Sequence, residues 1–238
     1  MNSLTSVQPY QASLIGAAAL RFLLSCTLYA ALVGLFAFDI AILGNDVPEL
    51  SATELAQAAV LAWIVASCAD IALSSRAQQP LATLAGGFFA CLLMRELDAL
   101  FDLIHHGLWL YPALTIALVC VIHGARHRPR LLAAMASLAT SPAQVQIATG
   151  LAIVLVFSRL FGLGELWQQV MGEHYVRAVK NLAEEGLELL GYVITGQGVW
   201  RWRQAVCRRQ LAHRAPTEPG IQTLPPRPPM IASRRRVN

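Results

Sequence analysis

The chain has 238 residues, of which 56% are hydrophobic and only 13% are charged, and its mean hydropathy is +0.52. Soluble domains carry about a quarter charged residues, so this composition excludes an ordinary soluble globule. It also excludes a chain that is disordered throughout, and five Cys in a chain of this length do not make a disulfide scaffold. The sequence therefore predicts an all-α, polytopic membrane protein.

Six apolar stretches approach the roughly 20 residues that a helix needs to cross a bilayer. They lack the alternation of barrel strands. Lipid offers no hydrogen-bond partner to backbone groups, so helices, which satisfy their own, are expected. We predict a six-helix transmembrane domain over 14–203. Its spans are about 14–43, 53–74, 81–100, 108–122, 145–163 and 182–200.

Four further segments complete the predicted organisation. Residues 1–13 form a short cytoplasmic segment, and 204–238 form a disordered tail rich in Arg and Pro. Residues 131–140 are expected to form a short amphipathic turn at the inner face. Apolar residues recur every three or four positions across 165–180, which predicts an interfacial helix on the outer side.

The distribution of charge predicts the orientation of the chain. Arginines gather between spans two and three, between spans four and five, and after span six, whereas the other loops are acidic. The positive-inside rule then puts both termini in the cytoplasm, in a topology typical of a bacterial inner (plasma) membrane protein. The arginines are expected to contact anionic lipid at the cytoplasmic face, and their placement does not indicate nucleic-acid binding.

Two charged residues at matching depth predict a structural ion pair on the inner side. Arg21 lies in the first turns of span one, which runs outward, and Asp70 lies in the last turns of span two, which runs inward. A charge inside the bilayer costs several kcal/mol unless it is paired, so contact between these neighbouring helices is the expected arrangement. The alternative is that the long Arg21 side chain extends to the inner surface of the membrane.

A larger group of charges is predicted at the outer ends of spans three, five and six. On span three, Arg95, Asp98, Asp102 and His105 or His106 recur at helical spacing, which predicts a helix that extends beyond the membrane. The acids of span six share a polar stripe with Tyr192. The candidate substrate- or ion-binding residues are Arg95, Glu96, Asp98, Asp102, Arg159 and Glu184, and the candidate acid–base residues are Glu185 and Glu188.

Carboxylates outnumber arginines in this layer, and three interpretations of the excess stay open. Some carboxylates are protonated, a cation binds among them, or they face water and lipid headgroups. The second interpretation includes a divalent metal held by His106, His174 and carboxylates such as Glu173, although their spacing matches no known metal motif.

Three functions are compatible with this pattern. The first is an integral membrane protein whose outer cluster binds a cation, a proton or a polar headgroup. The second is a membrane-embedded enzyme acting on a lipid-linked substrate from the outer leaflet. The third is an assembly subunit whose charges pair with a partner membrane subunit or with a second copy of the chain.

Overall fold

The computed structural model describes residues 8–43 and 51–214, and within those ranges all regular structure is helical. The prediction of an all-helical chain is therefore confirmed for the described residues. The helices are α1 Gln8–Leu43, α2 Ala52–Ser74, α3 Gln79–Glu96, α4 Asp98–Asp102, α5 Leu110–Arg126, α6 Arg128–Ala139, α7 Pro142–Ala152, α8 Ser158–Phe161, α9 Gly164–Met171 and α10 Arg177–Arg214. A π-helical turn, Ile153–Phe157, joins α7 to α8, and a 3₁₀ turn, Gly172–His174, follows α9.

Three helical segments among the described residues are long and apolar enough to cross a membrane, which supports a membrane protein. They are Gln11–Asp39 in α1, Ala52–Ser74 in α2 and the continuous stretch Pro142–Phe161. A fourth is counted if α5 and α6, which meet at a bend of 96°, form one broken span.

Local sequence signals fix where the apolar helices begin. Ser51 caps α2 by accepting a hydrogen bond from the Glu54 N–H at 3.1 Å. The Asp39 carboxylate, which is buried, accepts from the N–H groups of Ala52 and Thr53 at 3.1 and 2.9 Å, and so joins the end of α1 to the start of α2. Carboxylates are favourable at helix N-termini because the first N–H groups there lack partners within the helix.

Helix α10 lies at the centre of the bundle and packs against α1, α2, α7 and α8. Leu189 and Tyr192 of α10 are fully buried, as are Leu61 and Ile64 of α2. Helices α7 and α10 approach each other closely, since a Cβ atom built on Gly150 would lie 2.6 Å from the carbonyl oxygen of Gly191. Glycine is required there because the two backbones nearly touch.

Contacts along the helices define two ends of the bundle. The acidic end contains Glu54, Arg95, Arg159 and Glu188, whose side chains lie around one cavity. The basic end contains the arginines of α5, α6 and the second half of α10, with Asp70 of α2 against Arg203 of α10. Because α2, α3, α5, α7–α8 and α10 run alternately between these ends, each contributes one terminus to either end.

Several predicted boundaries differ from those observed. Helix α3 ends at Glu96, and a separate short helix starts at Asp98, whose carboxylate accepts from the Ala99 N–H at 2.7 Å. The predicted single face from Arg95 to His106 is therefore interrupted at Leu97. A carboxylate that bonds its own backbone favours a new helix start over a continuous helix.

The segments predicted to lie at the interfaces also differ. The predicted helix over 165–180 is divided at Gly172, whose φ of 56° does not continue a right-handed helix. The predicted turn over 131–140 is part of the full helix α6. Helix α10 continues to Arg214, so the first part of the tail predicted to be disordered is helical. The rest of that tail, 215–238, lies outside the described residues, as do 1–7 and the loop at 44–50.

Candidate functional site

Glu188 of α10 is at the centre of the candidate site. Its side chain is only 6% exposed, and both of its oxygens lie 3.3 Å from Nη2 of Arg95 on α3. Nη2 of Arg159 on α8 contacts Oε1 of Glu188 from the other side. The Ser158 hydroxyl, which is also fully buried, lies 3.4 Å from the same oxygen. One buried carboxylate therefore joins three separate helices.

The ion pairs continue outward from Glu188 on both sides. Nη2 of Arg95 also contacts Glu96 at 2.6 Å, and Glu96 accepts a hydrogen bond from the Tyr192 hydroxyl at 2.8 Å. On the other side, Arg159 lies 3.4 Å from Glu184, which also contacts Lys180 at 3.0 Å. Charged hydrogen bonds of this kind are stronger than neutral ones and fix the side chains in place.

The π-helical turn 153–157 positions Ser158 and Arg159, the two residues that α8 places beside Glu188. It adds a residue to the turn just before Ser158, whose hydroxyl donates to the Val154 carbonyl at 2.5 Å. Nε of Arg159 then donates to the Ser158 oxygen at 3.4 Å, so the guanidinium is held toward α10. Single π turns inside helices are common where a side chain must be re-aimed.

A cavity of about 410 Å³ lies beside these ion pairs. Its charged lining contains six carboxylates and two arginines, and Gln57 is a further polar residue in its wall. Of the carboxylates, Glu54, Asp98 and Glu185 make no ion pair with another described residue. The cavity therefore contains more negative than positive charge. Its charged lining residues are Glu54, Arg95, Glu96, Asp98, Arg159, Glu184, Glu185 and Glu188.

Gln57 joins α2 to α10 in the wall of this cavity. It is 1% exposed, and its Nε2 donates to the backbone carbonyl of Glu185 at 3.0 Å.

The structure brings together seven of the residues that the sequence pointed to and leaves the others apart. The seven are Arg95, Glu96, Asp98, Arg159, Glu184, Glu185 and Glu188, which all line the cavity. Asp102 lies outside it, at the exposed C-terminal end of α4, where it contacts Nδ1 of His106 at 2.8 Å. Glu173 and His174 are exposed in the 3₁₀ turn.

The Asp102 loop is held by local hydrogen bonds. The Gly107 N–H donates to Oδ1 of Asp102 at 3.0 Å, and His106 contacts Oδ2. The Gly107 N–H, followed by the His106 side chain, lowers the pKa of Asp102 below its usual value. Gly107 has a φ of 77°, which favours glycine at this turn.

The predicted metal ligands are not gathered into one group. Within residues 8–43 and 51–214, no three His, Cys, Asp or Glu side chains are close enough together to hold a metal ion. His106 and His174 lie on separate loops because the helix that was expected to carry His106 ends at Glu96.

The expected partner of Asp70 also differs. Oδ2 of Asp70 contacts Nε of Arg203 on α10 at 2.5 Å, and Arg203 in turn lies over the Trp200 ring at 5.1 Å. Arg21 is exposed on α1, and it forms no ion pair with the described residues. Helix α10 is longer than the predicted sixth span, and this added length brings Arg203 to the depth of Asp70.

Three residues of the site did not follow from the sequence. They are Glu54 and Gln57 in the cavity wall and Lys180 beside Glu184, and the sequence pattern did not select any of them as a site residue. The sequence signal that could have identified Glu54 and Gln57 is their position, because they lie three residues apart at the end of predicted span two where the other charges were expected.

In comparisons with known proteins, no family, curated protein or solved structure matches this chain.

Proposed function

We propose that this protein is a multi-pass inner-membrane protein whose acidic cavity binds a small organic cation, such as an ammonium group. The observation that carries the proposal is the excess of carboxylates around one cavity, three of them without an ion pair to any described residue. The proposed topology has six spans, with the acidic end outside and both termini in the cytoplasm.

The alternating direction of the helices supports six spans. Contacts at both ends show neighbours of opposite direction, such as Asp39 with Thr53 and Arg95 with Glu188 at the acidic end. At the basic end, Gln78 of the α2–α3 turn accepts from Trp202 of α10 at 3.3 Å. Arginines at one end and carboxylates at the other are the distribution that the positive-inside rule associates with cytoplasmic and external faces.

The size and charge of the cavity support an organic cation. Small-molecule sites are usually clefts of about 300–1,000 Å³, and this cavity falls within that range. Glu54 of α2 and Glu185 of α10 line it from different helices, and no three His, Cys, Asp or Glu side chains among the described residues are close enough together to hold a metal ion. An ammonium group donates three hydrogen bonds and suits such a separated set of acceptors.

The contacts of Glu188 favour this function over acid–base catalysis by that residue. Two arginines and a serine hydroxyl engage its carboxylate, so its oxygens are already occupied by groups of the protein itself. Glu188 is therefore assigned the role of holding the arginines beside the cavity, and Glu185 and Glu54 the role of contacting the cation.

The binding proposal is tested by thermal unfolding of the purified full-length protein in detergent, with ethylammonium, spermidine or Na⁺ at equal ionic strength. At about ten times the Kd, an organic cation should stabilise the fold by about 1.4 kcal/mol. Glu185→Gln and Glu54→Gln should abolish the shift. Glu165→Gln is the matched control, because Glu165 is an exposed acid on α9 outside the cavity. Equal shifts with Na⁺, or a normal shift in both cavity variants, would contradict the proposal.

The topology is tested separately with reporter fusions. Fusions after residues 104 and 172 should report an external location, and fusions after residues 127 and 212 should report the cytoplasm. Fusions at 104 and 172 that report the cytoplasm would overturn the proposed orientation.

A further inference from the structure

An apolar cavity of about 580 Å³ lies between α3, α5, α6 and α7, toward the basic end. Its walls carry almost no polar surface, and its lining side chains are aliphatic, aromatic or cysteine. It is separate from the acidic cavity, with which it shares no residue. A polar ligand would lose its hydrogen bonds to water here and gain none, so the cavity suits a hydrocarbon occupant.

The cavity reaches the side of the bundle, which would face lipid in the topology proposed above. Phe88 and Val121 both line it, and they are 40% and 56% exposed. On α3 its lining extends from Leu81 to Cys91, a distance of about 15 Å along the helix. An opening on the side of the bundle and an elongated apolar wall fit an acyl chain that enters from the bilayer.

The bend between α5 and α6 carries arginines at the basic end of the bundle, and α6 also lines this cavity. Helix α6 turns by 96° from α5 and runs across the basic end, where its Leu138 closes part of the cavity. Ser137, the neighbour of Leu138, accepts a hydrogen bond from Nη1 of Arg209 on α10 at 2.9 Å. Arg126, Arg128 and Arg130 at the bend are exposed, like Arg209, and none of the four forms an ion pair with a described acid.

We propose that this cavity holds an acyl chain of an anionic phospholipid, with the phosphate on Arg209 and Ser137. The apolar walls supply affinity for the chain, and the unpaired arginine supplies the preference for a negative headgroup. Arg203 does not compete for the phosphate because Asp70 already neutralises it.

Native mass spectrometry of the delipidated full-length protein tests the preference. Phosphatidylglycerol and phosphatidylcholine with identical acyl chains serve as probes. Phosphatidylglycerol should bind about fivefold more tightly, and Arg209→Gln should remove that difference. Arg201→Gln is the matched control, since Arg201 is an exposed arginine of the same helix and, unlike Arg209, forms no hydrogen bond or ion pair with the described residues of α6. Equal binding of the two lipids to the wild type would overturn the proposal. A dimer that forms in place of the lipid adduct would instead assign this face to a second copy of the chain.

A second variant tests whether the chain occupies the cavity. Ala117→Trp fills it from α5 and should weaken the binding of both lipids by about tenfold. Leu118→Trp is the control, because Leu118 is 62% exposed and does not line the cavity. Unchanged binding to the Ala117 variant would refute occupancy.

Alkylation of the native cysteines gives a measurement that needs no variant. Cys91 and Cys120 line the cavity, and Cys207 is exposed at the basic end. Saturating phosphatidylglycerol should slow the reaction of N-ethylmaleimide with Cys91 and Cys120 by several-fold relative to Cys207. Equal rates with and without lipid would count against the proposal even if the Trp variant did not fold.

Discussion

The two ends of the bundle both join α10 to its neighbours by ion pairs, but in different surroundings. At the acidic end, the Glu188 side chain is 6% exposed and is shared by two arginines from two other helices. At the basic end, Asp70 and Arg203 are 49% and 39% exposed and form a single pair. Burial removes the alternative of solvation by water, so a charge at the acidic end depends on its partners, whereas one at the basic end does not.

The largest effect should follow from removal of the shared carboxylate. Glu188→Ala leaves Arg95 and Arg159 without their central partner, and we expect the free energy of unfolding to fall by about 3–5 kcal/mol. Reversible unfolding in detergent measures the change, and Glu165→Ala, at an exposed acid of the same end, should cost under about 0.5 kcal/mol. A loss below about 1 kcal/mol for Glu188→Ala would mean that the two ends are energetically alike.

A substitution that overpacks the contact between α7 and α10 should have the next largest effect on stability. Gly150→Ala places a Cβ atom 2.6 Å from the Gly191 carbonyl and 2.6 Å from the Thr195 nitrogen, both backbone atoms that cannot rotate away. Overpacking of this kind should cost about 3 kcal/mol. Gly34→Ala on α1 is the control, because no neighbouring atom of residues 8–43 and 51–214 lies within 4 Å of its Cβ position. The same unfolding assay should show no loss for the control, since Ala favours a helix over Gly.

Removal of one hydroxyl group at the acidic end should lower the free energy of unfolding by a smaller amount. Tyr192→Phe removes the hydrogen bond to Glu96 in a fully buried side chain and should cost about 1.5 kcal/mol. Tyr111→Phe changes the same group on a residue that is 68% exposed and should leave the unfolding midpoint unchanged. Equal effects of the two changes would show that the Glu96 contact adds nothing to stability.

The exposed ion pair at the basic end should matter little. Asp70→Asn is expected to lower the free energy of unfolding by less than about 1 kcal/mol, and less still in high salt. Unfolding at two salt concentrations measures both effects. A loss above about 2 kcal/mol would remove the contrast between the two ends.

The smallest effect concerns the exposed loop beyond the acidic end. The Gly107 N–H and the His106 side chain lower the pKa of Asp102. The Asp102 carboxylate therefore stabilises the loop above about pH 4, and this stabilisation is lost as the pH falls through the lowered pKa. The protection factor of the Gly107 amide, which compares its exchange rate with the intrinsic rate at the same pH, should therefore fall in acid. Asp102→Asn should lower this protection factor at neutral pH and remove its pH dependence, while Asp98→Asn should leave it unchanged. A protection factor that rises in acid would contradict the assignment.

Much of the architecture could be predicted because hydropathy and charge are properties of single segments. The apolar runs identify the helices, and a capping residue such as Ser51 marks the start of α2. The alternation of charge along the chain also predicts which ends share a side, and the structure brings Arg95, Arg159 and Glu188 together from three separate helices. Helix ends were less predictable, because Asp98 interrupts α3 by a local hydrogen bond that competes with the helix.

The sequence by itself determined that this chain forms apolar helices with its acids and arginines at opposite ends, since these follow from composition and spacing. Only the tertiary structure decided which charge meets which. Asp70 contacts Arg203 instead of Arg21, Glu54 joins the cavity, and the histidines stay apart. Those contacts depend on the rotation, length and neighbours of each helix, and these are set by packing around α10 rather than by any one segment.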